Sequence, residues 1–361
     1  MLLTPVSAVK PPLAGYRKLS QLQKPYINGY LIRGLRQIPC MVSTVKFRDR
    51  LEHVGVQWGI RRNSYMVLPG LYAAGSPGRQ SPVLVTANYK LSFDMLRREL
   101  AGLDVWLLVL DTTGVNVWCA AGKGSFGTAE LLRKLQQTRL DELVDHRQLI
   151  LPQLGAVGVS APEVLRRSGW RIAWGPVRAA DLKAFLAAGL QKTAGMSRVR
   201  FGLGDRLRVA PLEMVQAWPL PLAAVLAAAL AAWLGGGRPW DYAWKTLLAL
   251  GALWPLGSWL FPALLPVLPS RAFSVKGAVL GLLWALCMIL LLQPGFWFAL
   301  ALILVSTSVT SFKAMNFTGA TTFTSQTGAM LEVDKAIIPQ LAGFAAAVVF
   351  AAIGFFAGFG V

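Results

Sequence analysis

From Pro82 onward the first half of the chain alternates between two kinds of segment. "PVLVTA" is a short continuous apolar run of the buried-strand type, and "SFDMLRREL" has helical spacing with Ser92 as its expected cap. The alternation repeats: strand "DVWLLVLDT" and helix "TAELLRKLQQTRL" with Thr128 at its cap, strand "RQLILPQL" and helix "APEVLRRSG", strand "WRIAWGPV" and helix "AADLKAFLAAG". Apolar strands alternating with amphipathic helices predict a Rossmann-like α/β domain, a parallel sheet covered on both faces. In such folds ligands sit beyond the carboxyl ends of the strands. Thr86-Ala87-Asn88, Asp111-Thr112-Thr113, Pro152-Gln153-Leu154-Gly155 and Gly175-Pro176 occupy those ends. Residues 1–60 carry a weaker pattern: "KFRDRLEHVGVQWGIRR" reads as a helix followed by a turn, and "YMVLPGLYAAGSPGRQSP" as short strands broken by Pro and Gly.

After about Val209 the pattern changes to long runs of Leu, Ala, Trp and Phe. Five segments, near 212–234, 243–267, 274–292, 295–312 and 336–358, approach the roughly 20 apolar residues that a bilayer span requires. The expected division is therefore 1–208, a cytoplasmic α/β domain, and 209–361, an all-α transmembrane domain of five helices. Gln293-Pro294-Gly295 forms a tight hairpin between the third and fourth spans. The polar segment 313–335 is expected to be a loop on the cytoplasmic side.

Composition sharpens this picture. Over 361 residues the chain is 55% hydrophobic with a mean hydropathy of +0.50, high for a soluble protein. Its formal net charge is +19, but no RNA- or DNA-binding signature accompanies the scattered Lys and Arg. The charge reads instead as a cytoplasmic domain facing anionic headgroups. Arg271, Lys276, Lys313 and Lys335 then fall on inside loops, with Arg238 and Lys245 outside, which agrees with the positive-inside rule. "MLLTPVSAVKPPLAG" lacks a continuous apolar core and is not read as a signal peptide. The expected location is the inner (cytoplasmic) membrane, multi-pass. A transporter with a regulatory domain would be expected to carry ionisable residues in its spans. Segments 212–234 and 274–292 carry only Glu213 and Lys276 near their ends.

Three cysteines, Cys40, Cys119 and Cys287, are too far apart for a disulfide framework or a zinc ribbon, and His53 and His146 are the only histidines. Cys119 lies in "NVWCAAGKGSFGT". A Walker loop fails there because Gly124 follows Lys123, and no G-x-G-x-x-G follows a strand directly. A cysteine nucleophile would need His53 or His146 as base, and Lys123 could lower a thiol pKa. A small buried hydrophobe is the plain structural role for a free cysteine. If "NVWCAAGK" is a helix, however, Asn116, Cys119 and Lys123 share a face. Ala120, Ala121 and Gly122 keep its flank thin, so a large flat ligand could lie against the thiol.

"NVWCAAGKG" resembles the cap-helix signature N-[VI]-W-C-A-[AG]-G-K of the HgcA family of mercury-methylating corrinoid proteins, matching at every position. "PGLYAAGSP", "PVLVTANYKLSFD", "LILPQLGAVGV", "MNFTGATTFTS" and the five-span tail extend the resemblance over nearly the whole chain. The corrinoid domain of that family is similar to the one in the corrinoid iron–sulfur proteins of acetyl-CoA synthesis. The resemblance implies a methyltransferase that passes a methyl group from the cobalt of a base-off cobalamin to Hg(II), forming methylmercury in an anaerobic cell. It implies Cys119 as catalytic residue and lower axial cobalt ligand, with Asn116, Val117, Trp118, Ala120, Ala121, Gly122 and Lys123 in the cofactor-binding signature. Thr86 and Ser92 map onto the family's corrinoid-contacting loop. The D-x-H-x-x-G motif of His-ligated cobalamin proteins is absent. Hg(II) is an electrophile, so the methyl group must arrive with electron density, which a thiolate ligand supplies better than imidazole. The chain has no cysteine cluster of its own, so a dicluster ferredoxin-like partner is implied as reductant, with a methyl donor linked to methyltetrahydrofolate. The competing reading is a membrane-anchored corrinoid methyl carrier of one-carbon metabolism of the acetyl-CoA type.

Overall fold

The structure, a computed structural model, describes residues 3–4, 24–235, 238–317 and 326–358. The chain divides into two compact units, Met1–Val56 with Ile60–Val199, and Gln57–Gly59 with Arg200–Val361.

The first unit is built on one mixed sheet of β1 (Leu3–Thr4), β2 (Ile27–Arg33), β3 (Arg36–Met41), β4 (Gly70–Ala74), β5 (Val83–Ala87), β6 (Val105–Leu110), β7 (Gln148–Leu151) and β8 (Arg171–Trp174). Their order is β1-β2-β3-β4-β6-β5-β7-β8. The four strands with the clearest sequence pattern, β5 to β8, are mutually parallel, as expected. The remainder of the sheet departs from that expectation, because β4 runs antiparallel to β6 and β2 antiparallel to β3. Every residue of β4, β5 and β6 is buried, which explains why their sequences are apolar runs rather than alternating ones.

Alternation nevertheless sorts the side chains. Val83, Val85, Ala87, Trp106, Leu108 and Leu110 enter one core, with α3 (Val117–Gly122), α4 (Thr128–Thr138) and α5 (Ala161–Ser168). Leu84, Leu107 and Val109 enter the other, with α2 (Lys90–Glu99) and α6 (Leu182–Ala187). A further helix, α1 (Phe47–Gln57), precedes β4. Two expected caps move. Helix α2 begins at Lys90 with Tyr89 as N-cap, so Ser92 lies inside its first turn. Helix α4 is capped by Gly127, and the Thr128 hydroxyl instead accepts the Ser160 N–H at 2.8 Å.

The second unit is helical. Among the described residues, four helices are long and apolar enough to cross a membrane: α9 (Pro239–Leu264), α10 (Phe273–Leu292), α11 (Phe296–Asn316) and α12 (Gln326–Gly358). The first expected span is bent by 52° between α7 (Leu203–Gln216) and α8 (Pro219–Leu234), and the pair makes a fifth span if counted as one. Helices α10 and α11 turn at Gln293, whose φ of 48° ends α10 in the left-handed region. Gly277 and Gly281 let the α11 backbone at Thr310 and Ser306 approach closely, a small-x-x-x-small contact. Within the polar segment 313–335, residues 313–316 continue α11 and 326–335 open α12, while 318–325 lie outside the described residues.

Candidate functional site

The parallel strands are ordered β6-β5-β7-β8, so the chain leaves β5 to one side and returns on its other side. This places a topological switch point at the carboxyl ends of β5 and β7, where open α/β sheets take ligands. The loop after β6 reaches this edge through two consecutive left-handed residues, Thr113 (φ 54°) and Gly114 (φ 73°). Asn88, fully buried after β5, holds that loop. Its Oδ1 accepts the Thr112 and Gly114 N–H groups, each at 3.0 Å, and its Nδ2 donates to Asp111 Oδ1 at 3.2 Å. Glu130 Oε1 accepts the Asp111 N–H at 2.8 Å from the start of α4.

The reversal delivers the chain into α3, a cap helix of six residues. Asn116 is its N-cap: Oδ1 accepts the Cys119 N–H at 2.9 Å. That bond fixes Asn116 at the helix start, so the exposed face consists of Trp118, Cys119, Gly122 and Lys123 rather than Asn116, Cys119 and Lys123. Val117, Ala120 and Ala121 point into the core. Gly155 and Gly158, in the turn after β7, clamp the helix from below. A Cβ on Gly155 would stand 2.5 Å from the Phe126 ring, and one on Gly158 would overlap the Phe126 carbonyl and lie 2.9 Å from Ala121 Cα. Phe126, completely buried, anchors the turn that closes the helix.

Cys119 is a free, exposed thiol, whereas Cys40 is buried in the core and burial pushes its thiol up to about 11. Met66, packed against Gly114, and Val157, next to Gly158, are exposed apolar residues, as is Trp118 on α3. Tyr89 is 5% exposed, and its hydroxyl has no hydrogen-bond partner. Burial raises its pKa above that of an ordinary phenol; the Arg62 charge opposes the rise and a charge on Cys119 adds to it. An orphaned hydroxyl beside an exposed thiol and a thin apolar helix face suits a large, flat ligand with polar substituents. Among the described residues, no group of three or more His, Cys, Asp or Glu could hold a metal ion.

Thr86 is buried in β5 with the parity of Leu84, on the α2 side of the sheet, opposite α3. Ser92 is partly buried in the first turn of α2. Sequence reasoning missed Tyr89 and the Gly155/Gly158 clamp. The signal for the first was an aromatic residue at a strand end, and for the second two glycines three residues apart after a strand.

Similarities to known proteins support a corrinoid-protein-like domain in the first unit. Residues 61–186 match the family model described as CO dehydrogenase/acetyl-CoA synthase delta subunit. The chain is similar to the acetyl-CoA decarbonylase/synthase complex subunit gamma of Archaeoglobus fulgidus, 33% identical over 35% of this chain and 27% of that protein. It is similar to the subunit of the same name in Methanopyrus kandleri, 34% identical over 35% of this chain and 27% of the relative. It is also similar to the corrinoid/iron-sulfur protein large subunit of Moorella thermoacetica, 30% identical over 44% of this chain and 38% of the relative. The chain thus spans between about a quarter and two fifths of the length of these relatives.

Proposed function

We propose that this chain is a membrane-anchored corrinoid protein that passes a methyl group to Hg(II), with Cys119 as lower axial ligand of the corrinoid cobalt. The observation that carries this reading is the free thiol of Cys119, exposed on a cap helix whose outward face is kept thin by Gly122. When bound, the corrinoid would supply a cobalt ion that carries the methyl group, and a thiolate opposite it would favour delivery to an electrophile. The protein's own contribution is positional. The Asn116 cap and the Phe126 anchor fix the helix, and the buried Asn88 fixes the loop that leads into it. Trp118 and Lys123 flank the sulfur, and the Tyr89 hydroxyl offers a donor to a polar substituent of the ligand. The family resemblance also implies Thr86 and Ser92, which lie across the sheet from the cap helix and so would act on the ligand only from the end of β5 and the first turn of α2. A dicluster ferredoxin-like protein would supply electrons, and a methyltetrahydrofolate-linked donor the methyl group. The apolar helices of the second unit would hold the protein in the cytoplasmic membrane with the corrinoid domain inside the cell.

The similarity to acetyl-CoA decarbonylase/synthase and corrinoid/iron-sulfur proteins favours a second reading, a corrinoid methyl carrier of one-carbon metabolism. Both readings place the corrinoid on Cys119 and differ in the acceptor. Cys119→Ala should shift the visible spectrum of the bound Co(III) corrinoid and abolish methylmercury formation in an anaerobic assay with reductant and methyl donor. Cys119→His should restore a ligand but little activity, and Cys287→Ala should behave as wild type. An unchanged spectrum in Cys119→Ala would refute the ligand assignment. A wild-type protein that binds corrinoid and accepts methyl groups but leaves Hg(II) unmethylated would favour the second reading.

A further inference from the structure

Helix α1 is amphipathic in the wrong sense for a helix on a folded domain. Its inward face carries the charged residues, beside the buried Val56. Asp49 Oδ1 accepts from Lys90 Nζ at 2.9 Å and Oδ2 from Arg97 Nη2 at 3.0 Å, while His53 Nε2 lies 2.8 Å from Asp94 Oδ2. Glu52 accepts the Tyr65 hydroxyl at 3.2 Å. Its outward face is apolar: Phe47, Leu51 and Val54, one stripe at i, i+4 and i+7, are 73%, 56% and 51% exposed. At 100° per residue Arg48 and Arg50 fall on opposite edges of that stripe, and both are exposed. Lys46 stands exposed just before the helix.

We propose that this face docks the α/β unit on an anionic bilayer surface, with Phe47, Leu51 and Val54 immersed among the acyl chains and Arg48 and Arg50 at the headgroups. A shallow apolar stripe with basic residues on both edges is the composition of an interfacial helix. Three side chains cover far less than the roughly 800 Å² per partner of a stable protein interface, so a second copy or another protein would find too little here. A bilayer crossed by the helices of the second unit is tethered to α1, so even weak attachment is intramolecular. The helix lies outside the residues 61–186 that match the family model. The inference rests on those spans crossing a membrane, and not on the corrinoid chemistry.

The test uses the full chain with Cys119→Ser and Cys287→Ser, reconstituted in phosphatidylcholine vesicles containing phosphatidylglycerol. A nitroxide is placed at Leu51→Cys, or at Lys183→Cys, an exposed position on α6, as control. The ratio of oxygen to nickel-chelate accessibility should be severalfold higher at position 51 than at 183. It should fall back towards the control when Arg48→Glu and Arg50→Glu are added. Equal ratios at the two positions overturn the inference while leaving the spans intact. Shielding of position 51 from both reagents indicates protein packing and overturns it too. Release of the protein by alkaline carbonate overturns the spans and the inference together.

Discussion

Gly158→Ala tests whether the cap helix is held from beneath by contact alone. The added methyl would overlap the Phe126 carbonyl oxygen and stand 2.9 Å from Ala121 Cα and 3.0 Å from the Ala121 carbonyl oxygen. All three are backbone atoms, so no flexible side chain can swing away. Gly158 does not use a left-handed φ, so the effect is steric rather than conformational. Overpacking of this kind costs about 1–3 kcal/mol, and backbone neighbours put the change near the upper end. For a domain of this size each kcal/mol lowers the melting temperature by roughly 2–4 °C, so a drop of about 5–12 °C is expected. The turn can relieve the overlap only by moving Phe126 or the second half of α3, and either shift displaces Cys119. Corrinoid retained after gel filtration, read from its visible absorbance, should therefore fall together with the melting temperature. A variant with wild-type stability and full corrinoid retention would refute the clamp.

Gly122→Ala separates the face from the fold: nothing lies within 4 Å of the added Cβ, and Ala gains up to about 1 kcal/mol of helix propensity. Its melting temperature should hold or rise while corrinoid retention falls, and full retention would show that the ligand lies elsewhere. Asp94→Asn should destabilise the first unit by about 3–5 kcal/mol in urea titrations, because the buried Lys90 and Arg97, both 2.7 Å away, lose one of the two carboxylates they share. Burial alone would raise the Asp94 pKa, but hydrogen bonds from His53 and Lys90 and the charges of Lys90 and Arg97 outweigh it and hold the carboxyl below the usual range. A depressed folded pKa stabilises above the unfolded value near 4, and that stability is lost as pH falls through the folded value. The gap between wild type and Asp94→Asn should therefore shrink below about pH 4, and a widening gap would refute the assignment. In the second unit, Lys276 Nζ donates to the carbonyls of Leu265 and Leu268 at 2.8 and 2.6 Å, just past the end of α9. Lys276→Met should lower stability in detergent by about 1–3 kcal/mol, and an unchanged melting temperature would show those carbonyls satisfied otherwise.

The parallel half of the first unit was legible because β5 and β6 are buried on both sides and apolar throughout except for Thr86. The antiparallel edge was not, since "GLYAA" in β4 is just as buried and its direction depends on pairing with β6 thirty-odd residues later. The start of α2 was misplaced because Ser92 is the better local cap, yet Lys90 is drawn into the helix by Asp49 and Asp94. The motif singles out Cys119, whose thiol is exposed, but it does not show Asn116 as a cap. A six-residue helix leaves no room for an i to i+7 face, and asparagine before it is a cap by ordinary preference. The periodicity of α1 was readable and its polarity was not, because the partners of its charges lie about forty residues downstream.

Three consecutive residues after β5 connect these features. Asn88 bonds the loop that leads to the cap helix, Tyr89 buries a hydroxyl without a hydrogen-bond partner, and Lys90 enters the ion cluster beneath α1. The backbone between them is itself tied down, with the Val67 N–H bonded to the Asn88 carbonyl and the Lys90 N–H to that of Tyr65, at 2.9 and 3.0 Å. Buried groups bonded on this scale have little freedom to move singly, because each displacement would leave a desolvated charge or amide without its partner. The ion cluster under α1 and the loop that leads into the cap helix are therefore parts of one rigid element. The residues that fix α1 also fix the Tyr89 ring beside the proposed ligand.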